Sequence, residues 1–212
     1  VSDEGEILVR GPGVMRGYYL QDDETAKSMT DGWFRTGDLG ELDAQGFITL
    51  TGRLKNLFKL STGKYVMPQY LEQELEAHPL IDYALVVGDG EKYCSALLFL
   101  NEDAIRHRIR RLEPGKENMP APQLLQHPRL HDKLRRVVQE ANAEMPAWSN
   151  VKRVGVAVAE FSAENGFLTP TLKIRRKPVL DAFAHLQEAL YQPKDELPED
   201  VAVIDVVSNG SQ

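Results

Sequence analysis

Asp38 follows Thr36 and Gly37 in the stretch Trp33-Phe34-Arg35-Thr36-Gly37-Asp38-Leu39-Gly40, where the glycine permits a tight turn that presents the Asp38 carboxylate. A carboxylate only accepts hydrogen bonds, and it can take two from a vicinal diol such as a ribose. Arg53 lies fifteen positions later, in Thr51-Gly52-Arg53-Leu54-Lys55-Asn56-Leu57-Phe58-Lys59. A hairpin at Gly46 would bring both residues to one edge, and an acceptor beside a fixed cation suits the ribose and phosphate of a nucleotide. The same residue types also describe a structural Asp in a glycine turn and a solvated basic face. Lys173 belongs to a third cluster, Leu168-Thr169-Pro170-Thr171-Leu172-Lys173-Ile174-Arg175-Arg176-Lys177, in which turn formers precede a helix. A lysine there can project from a loop into a cleft, although a solvated basic helix flank has the same composition. Ser61-Thr62-Gly63 is too short to be a phosphate loop by itself.

The elements that must position these residues change character along the chain. From Gly5 to Leu50 short strands and turns dominate: Ile7-Leu8-Val9 reads as a strand, Asp23–Lys27 as a helical turn, and Asp43-Ala44-Gln45-Gly46 as a hairpin turn into Phe47-Ile48-Thr49-Leu50. Beyond Gly52, Pro68 opens a helix carrying Leu71 and Leu75 on one face, and His78-Pro79 stops it. Tyr83–Val87 and Tyr93–Leu100 flank Gly88-Asp89-Gly90 as an antiparallel hairpin, and Val154–Ala159 is a further strand. Leu130, Leu134, Val137, Val138 and Ala141 mark one helix, and Val179, Phe183, Leu186 and Leu190 a last one. The segment from Gln192 reads as a loose acidic tail in which Val201-Ala202-Val203-Ile204 can pair as a strand. The fold class is α+β, a β-rich segment followed by a domain with a small mixed or antiparallel sheet flanked by helices.

Composition bounds the function. The chain has 212 residues, 42% of them hydrophobic, enough to build a packed core. Its net charge of 25 − 32 = −7 argues against a general nucleic-acid binder. Apolar runs such as Ala96–Leu100 are far shorter than the ~20 residues that cross a bilayer. Cys94 stands alone, so an intrachain disulfide is excluded and a cytoplasmic setting is expected. A chain that starts at Val1 and enters a strand at once reads as a piece of something longer. Ile105, Ile109 and Leu112 form a helical stripe interleaved with Arg106, Arg108, Arg110 and Arg111, inside what reads as an insertion over 101–126. An amphipathic surface helix accounts for it, with peripheral contact to a membrane as the alternative. His127 and His131 have the i, i+4 spacing of a metal pair, but lacking a third ligand they read as surface helix residues, and no metal site is expected.

Taken in order, the three clusters resemble the adenylate-forming superfamily of acyl-CoA synthetases, luciferases and peptide-synthetase adenylation domains. The resemblance begins with Gly5-Glu6-Ile7-Leu8-Val9-Arg10-Gly11 and Met15-Arg16-Gly17-Tyr18-Tyr19, and runs through Asp31-Gly32-Trp33-Phe34, Thr36-Gly37-Asp38 and Gly52-Arg53 to Lys173. The wording of Lys59–Tyr65 and of Leu168–Lys173 is most similar to the long-chain fatty acyl-CoA synthetase branch, where Leu172 replaces the glycine that commonly precedes the late lysine elsewhere. The resemblance implies an ATP-dependent fatty acid–CoA ligase. Residues 1–54 would end its large domain, 55–190 would form a small mobile C-terminal lid, and 191–212 an acidic tail. It implies that Lys173 is catalytic, that Asp38, Leu50, Arg53 and Lys59 bind AMP or ATP, that Gly63 lines the coenzyme A channel, and that Lys55 is the hinge. Magnesium ligands, the phosphate loop and the acyl pocket are expected upstream of Val1, leaving this chain inactive by itself and partnered by that missing region. A fatty acyl-AMP ligase that passes the acyl group to a carrier protein is the alternative enzyme, and a non-catalytic interaction module the alternative of another class.

Overall fold

The computed structural model describes residues 1–2, 5–198 and 201–206, and the chain divides into two compact units between Leu57 and Phe58. The first unit, Val1–Leu57, contains the strands β1 (Glu6–Val9), β2 (Met29–Thr30), β3 (Trp33–Leu42) and β4 (Ile48–Arg53), with helix α1 (Asp22–Ser28) between β1 and β2. β3 pairs antiparallel with each of the other three strands. The predicted turn at Asp43–Gly46 joins β3 to β4: Asp43 Oδ1 accepts the N–H groups of Gln45 at 2.9 Å and Phe47 at 2.8 Å, an Asx turn that fixes the hairpin. β4 runs into a single 3₁₀ turn, Leu54–Asn56, closed by the Leu57 N–H donating to the Leu54 carbonyl at 3.2 Å. That turn packs against β3, and the first compact unit ends at Leu57.

The second unit contains β5 (Phe58–Lys59), β6 (Tyr65–Val66), α2 (Pro68–Glu76), β7 (Ile81–Val87), β8 (Cys94–Leu100), α3 (Glu102–Leu112), α4 (Ala121–Leu125), α5 (Pro128–Ala143), β9 (Val151–Ala157), α6 (Arg176–Ala182), α7 (Ala184–Ala189) and β10 (Ala202–Asp205). Its sheet has the order β10-β9-β8-β7; β8 and β9 are parallel, and the two outer pairings are antiparallel. Alternate side chains serve opposite faces. Ala84, Val86, Ala96 and Leu98 meet Leu71, Leu75, Ile105, Ile109 and Leu134, whereas Leu85, Val87, Leu97 and Phe99 meet Val179, Leu186 and Leu190. All seven residues of β8 are therefore buried, as expected for a strand covered on both sides.

Two expectations change, and two left open are decided. The last helix is two, α6 and α7, which meet at Phe183, whose ring packs edge-on to Phe99 at 4.9 Å. The acidic tail contributes a strand: Ala202–Asp205 pairs with β9, and Ala202, Ile204 and Val206 enter the core; residues 199–200 and 207–212 lie outside the described residues. The stripe on α3 is spent inside the protein, since Ile105 and Ile109 are buried and only Leu112 of the three is exposed. The histidine pair is drawn in from the surface, His127 buried and His131 half-buried. His127 caps α5 through Nδ1, which accepts the Arg129 N–H at 3.2 Å, while His131 Nε2 lies 2.6 Å from the Leu125 carbonyl oxygen. Burial lowers the His131 pKa.

Candidate functional site

Asp38 on β3 and Arg53 on β4 are direct partners in the strand register, and Arg53 Nε lies 2.9 Å from Asp38 Oδ1. A β-bulge precedes this pair, with Leu39 opposite Gly52 and Gly40 opposite Leu50. Leu50 stands 68% exposed on the same strand as Arg53, an apolar surface free to receive a ring. The expected turn at Gly37 is instead an irregular stretch of β3, and it is held from below by a residue that the sequence reading left without a role. Glu6 is 3% exposed; its Oε2 accepts from Arg35 Nε at 2.9 Å and its Oε1 accepts the Gly37 N–H at 3.0 Å. Thr36 Oγ1 donates to the Ile7 carbonyl at 2.7 Å and accepts the Asp38 N–H at 3.0 Å. Gly37 has φ +73°, which a side chain would strain. A buried carboxylate, a threonine and a left-handed glycine thus fix one half-buried acceptor beside one exposed cation.

In the second unit, β5 and β6 form a short hairpin with Gly63 in its turn, where φ is +84° and nothing surrounds the missing Cβ. Leu60 N–H donates to the Lys64 carbonyl at 2.9 Å, and the Gly63 N–H to the Leu60 carbonyl at 2.8 Å. The hairpin is moored to the β7–β8 connection, because Lys59 N–H donates to Asp89 Oδ1 at 3.2 Å and Gly90 N–H to the Lys59 carbonyl at 2.8 Å. The Lys59 ammonium sits 5.3 Å from the Tyr65 ring centroid. Lys55 is exposed in the 3₁₀ turn that precedes this hairpin.

Lys173 lies on a second hairpin, which begins at the Leu168–Ile174 bridge. The Leu172 N–H donates to the Thr169 carbonyl at 2.9 Å, the Thr169 N–H to the Lys173 carbonyl at 2.8 Å, and the Lys173 N–H to Thr169 Oγ1 at 3.0 Å. Leu172 has φ +60°, the left-handed conformation that glycine adopts freely at the bulge of such three-residue turns. Lys173 is exposed, and among the described residues no acceptor holds its Nζ. The base of the hairpin is anchored by Phe167, stacked among Phe161 and Phe183 with centroids 5.3 and 6.1 Å away. Asp38 and Arg53 pair in the first unit, with Leu50 opposite Gly40 on the same two strands; Lys59 with Gly63, and Lys173, occupy two hairpins of the second.

Among the described residues no group of three or more His, Cys, Asp or Glu side chains is arranged to hold a metal ion. No helix among them is long and apolar enough to cross a membrane.

Residues 55–195 match the family described as AMP-binding enzyme C-terminal domain. A long-chain-fatty-acid–CoA ligase of Mycobacterium tuberculosis is 37% identical over 191 residues, which cover 90% of this chain and 32% of that protein. Long-chain-fatty-acid–CoA ligase 1 of Schizosaccharomyces pombe is 31% identical over 196 residues, covering 88% of this chain and 28% of its own length. The chain thus spans about a third of the curated relatives it matches. Among solved structures, the adenylation domain of a carboxylic acid reductase from Segniliparus rugosus, in complex with AMP and a co-purified carboxylic acid, superposes with a TM-score of 0.70 over 88% of this chain and 28% of that one, at 24% identity, which speaks to the fold alone.

Proposed function

Because residues 55–195 belong to the AMP-binding enzyme C-terminal domain family, we propose that this chain is the C-terminal part of an AMP-forming long-chain fatty acid–CoA ligase. Residues 1–54 would close the large domain and 55–190 would form its mobile lid. The observation that carries the reading is the Asp38–Arg53 pair, a half-buried acceptor and an exposed cation 2.9 Å apart on neighbouring strands. Asp38 accepts the ribose hydroxyls of ATP or AMP, Arg53 assists there, and Leu50 packs on the adenine. Lys59 lies near the phosphate.

The chemistry takes two steps. A fatty carboxylate oxygen attacks the α-phosphorus of ATP and pyrophosphate leaves; the thiol of coenzyme A then attacks the acyl carbon, gives up its proton, and AMP leaves with the carboxylate oxygen. Charge builds between carboxylate and α-phosphate in the first step, and the Lys173 ammonium is the group this chain offers there. In the second step the lid turns about Lys55, and the Gly63 hairpin replaces the Lys173 hairpin beside the pantetheine, where a glycine leaves room for close approach. Magnesium would come with ATP, its ligands supplied by the part of the ligase outside this chain. The buried α3 stripe lends no support to a membrane-docking helix, and the cytoplasm is the proposed setting.

The test is to supply the full-length enzyme with magnesium ATP, a long-chain fatty acid and coenzyme A. AMP, pyrophosphate and acyl-CoA in equal amounts are expected. Adenylate that forms but reaches only a carrier protein would replace this reading with a fatty acyl-AMP ligase, and no turnover would leave an interaction module. The 212-residue chain alone is expected to give no fatty-acid-dependent pyrophosphate exchange.

A further inference from the structure

Arg176 opens α6 three positions after Lys173. Its guanidinium donates to Glu72 Oε1 on α2 at 2.5 Å and to the Val86 carbonyl on β7. The same Glu72 oxygen accepts the Val86 N–H at 2.7 Å, and Glu76, one turn further along α2, accepts the Ala84 N–H at 2.9 Å. β7 is an edge strand, and its outward amides would otherwise lack partners; α2 covers that edge with carboxylates. Glu72, Arg176 and Val86 therefore link three elements at one point: the helix, the sheet edge and the chain leaving the lysine hairpin. The flanking basic residues are spent differently. Arg175 Nη1 reaches the Gly166 carbonyl within its own hairpin at 3.3 Å, and Lys177 pairs with Asp181 on α6 at 2.9 Å.

The Glu72 and Arg176 side chains are 13% and 27% exposed, so the pair is largely withdrawn from water. A pair of that kind adds little net stability, because desolvation offsets most of the attraction. What it adds is direction. A planar guanidinium that binds a carboxylate and a carbonyl together fixes the height and the angle of the backbone that carries it. Two residues separate Arg176 from Lys173, and one of them, Ile174, is held in the Leu168 bridge, so little slack remains between the clamp and the lysine.

We propose that the Glu72–Arg176–Val86 link is the positioning device for Lys173, setting where its ammonium is delivered during adenylation; the inference rests on the role given to Lys173 above. The test uses the full-length enzyme with Glu72 and Arg176 both replaced by Met, which removes the link without stranding a charge. Adenylation kcat is expected to fall roughly 10- to 100-fold, the scale of a misplacement near 1 Å, with the KM for ATP changed less than about threefold. Thioester formation from supplied acyl-adenylate, which does not use the lysine, should stay within about twofold of the wild type. Arg176→Lys keeps the charge without the fork and should remain close to the double variant. Adenylation within about twofold of the wild type, or an equal fall of both half-reactions, would overturn the positioning role. Lys173→Ala run alongside keeps the two claims apart. Its collapse beside an active double variant overturns the link alone; its retention of adenylation overturns the lysine assignment, and the link's role with it.

Discussion

Asp38 is held by neighbours that do no chemistry. Glu6 and Thr36 fix the irregular stretch of β3, and Arg53 reaches the carboxylate across the strand pair. A carboxylate that binds a diol contributes hydrogen bonds to a charged acceptor, about 1.5–3 kcal/mol each, so Asp38→Ala in the full-length enzyme should weaken AMP binding by roughly 10- to 100-fold. Calorimetric titration measures it, and unchanged affinity would remove Asp38 from the ribose. The Asp38–Arg53 pairing was legible in the sequence because the Gly46 hairpin that makes it is local. Glu6 was not, since a glutamate in a four-residue strand looks like any solvent-facing alternate until its register against Gly37 is known. His127 and His131 were misread for the same reason, as their burial depends on what α3 and α4 bring over α5. Burial lowers the His131 pKa below its ordinary 6.5, so the unfolded chain takes up the proton more readily. The stability from neutral His131 is complete above pH 6.5 and is lost as pH falls through the lower folded value. His131→Gln should flatten the fall of the urea midpoint as the pH drops below 6.5; an unaltered slope would assign that fall to other groups.

The elements were legible where their signals are short-ranged. The Gly46 turn, the hairpin around Gly88-Asp89-Gly90 and the helix opened by Pro68 all stand where turn chemistry puts them. The break between α6 and α7 has no local signal, because it follows from Phe183 entering the aromatic cluster beneath the Lys173 hairpin. The Glu72–Arg176 pair joins positions 104 apart, beyond any local pattern. Leu172 is a case in which the sequence pointed to an oddity and the backbone explains it. The residue occupies a left-handed bulge that suits glycine, at a cost of roughly 1–2 kcal/mol. With its side chain 72% exposed, little is gained in return within the unit. Leu172→Gly should therefore tighten the hairpin, slowing hydrogen exchange at the Lys173 amide by about fivefold for each 1 kcal/mol recovered. Faster exchange would mean that the leucine side chain holds the turn.

At the scale of the whole molecule, the two compact units meet in sequence beside a short turn that carries Lys55, the proposed hinge. Proline fixes φ near −65°, so Lys55→Pro in the full-length enzyme should favour one lid orientation. Acyl-adenylate should then accumulate while thioester output falls; unchanged thioester formation would move the hinge elsewhere. The central claim is that the lid delivers Lys173 for adenylation and withdraws it for transfer. Its most direct test is Lys173→Ala in the full-length enzyme, with the half-reactions assayed separately. Fatty-acid-dependent pyrophosphate exchange should drop by about 10²–10³, the loss expected with a transition-state charge partner, while thioester formation from supplied acyl-adenylate stays within a few-fold of the wild type. An equal loss of both steps, or exchange at the wild-type rate, would contradict it.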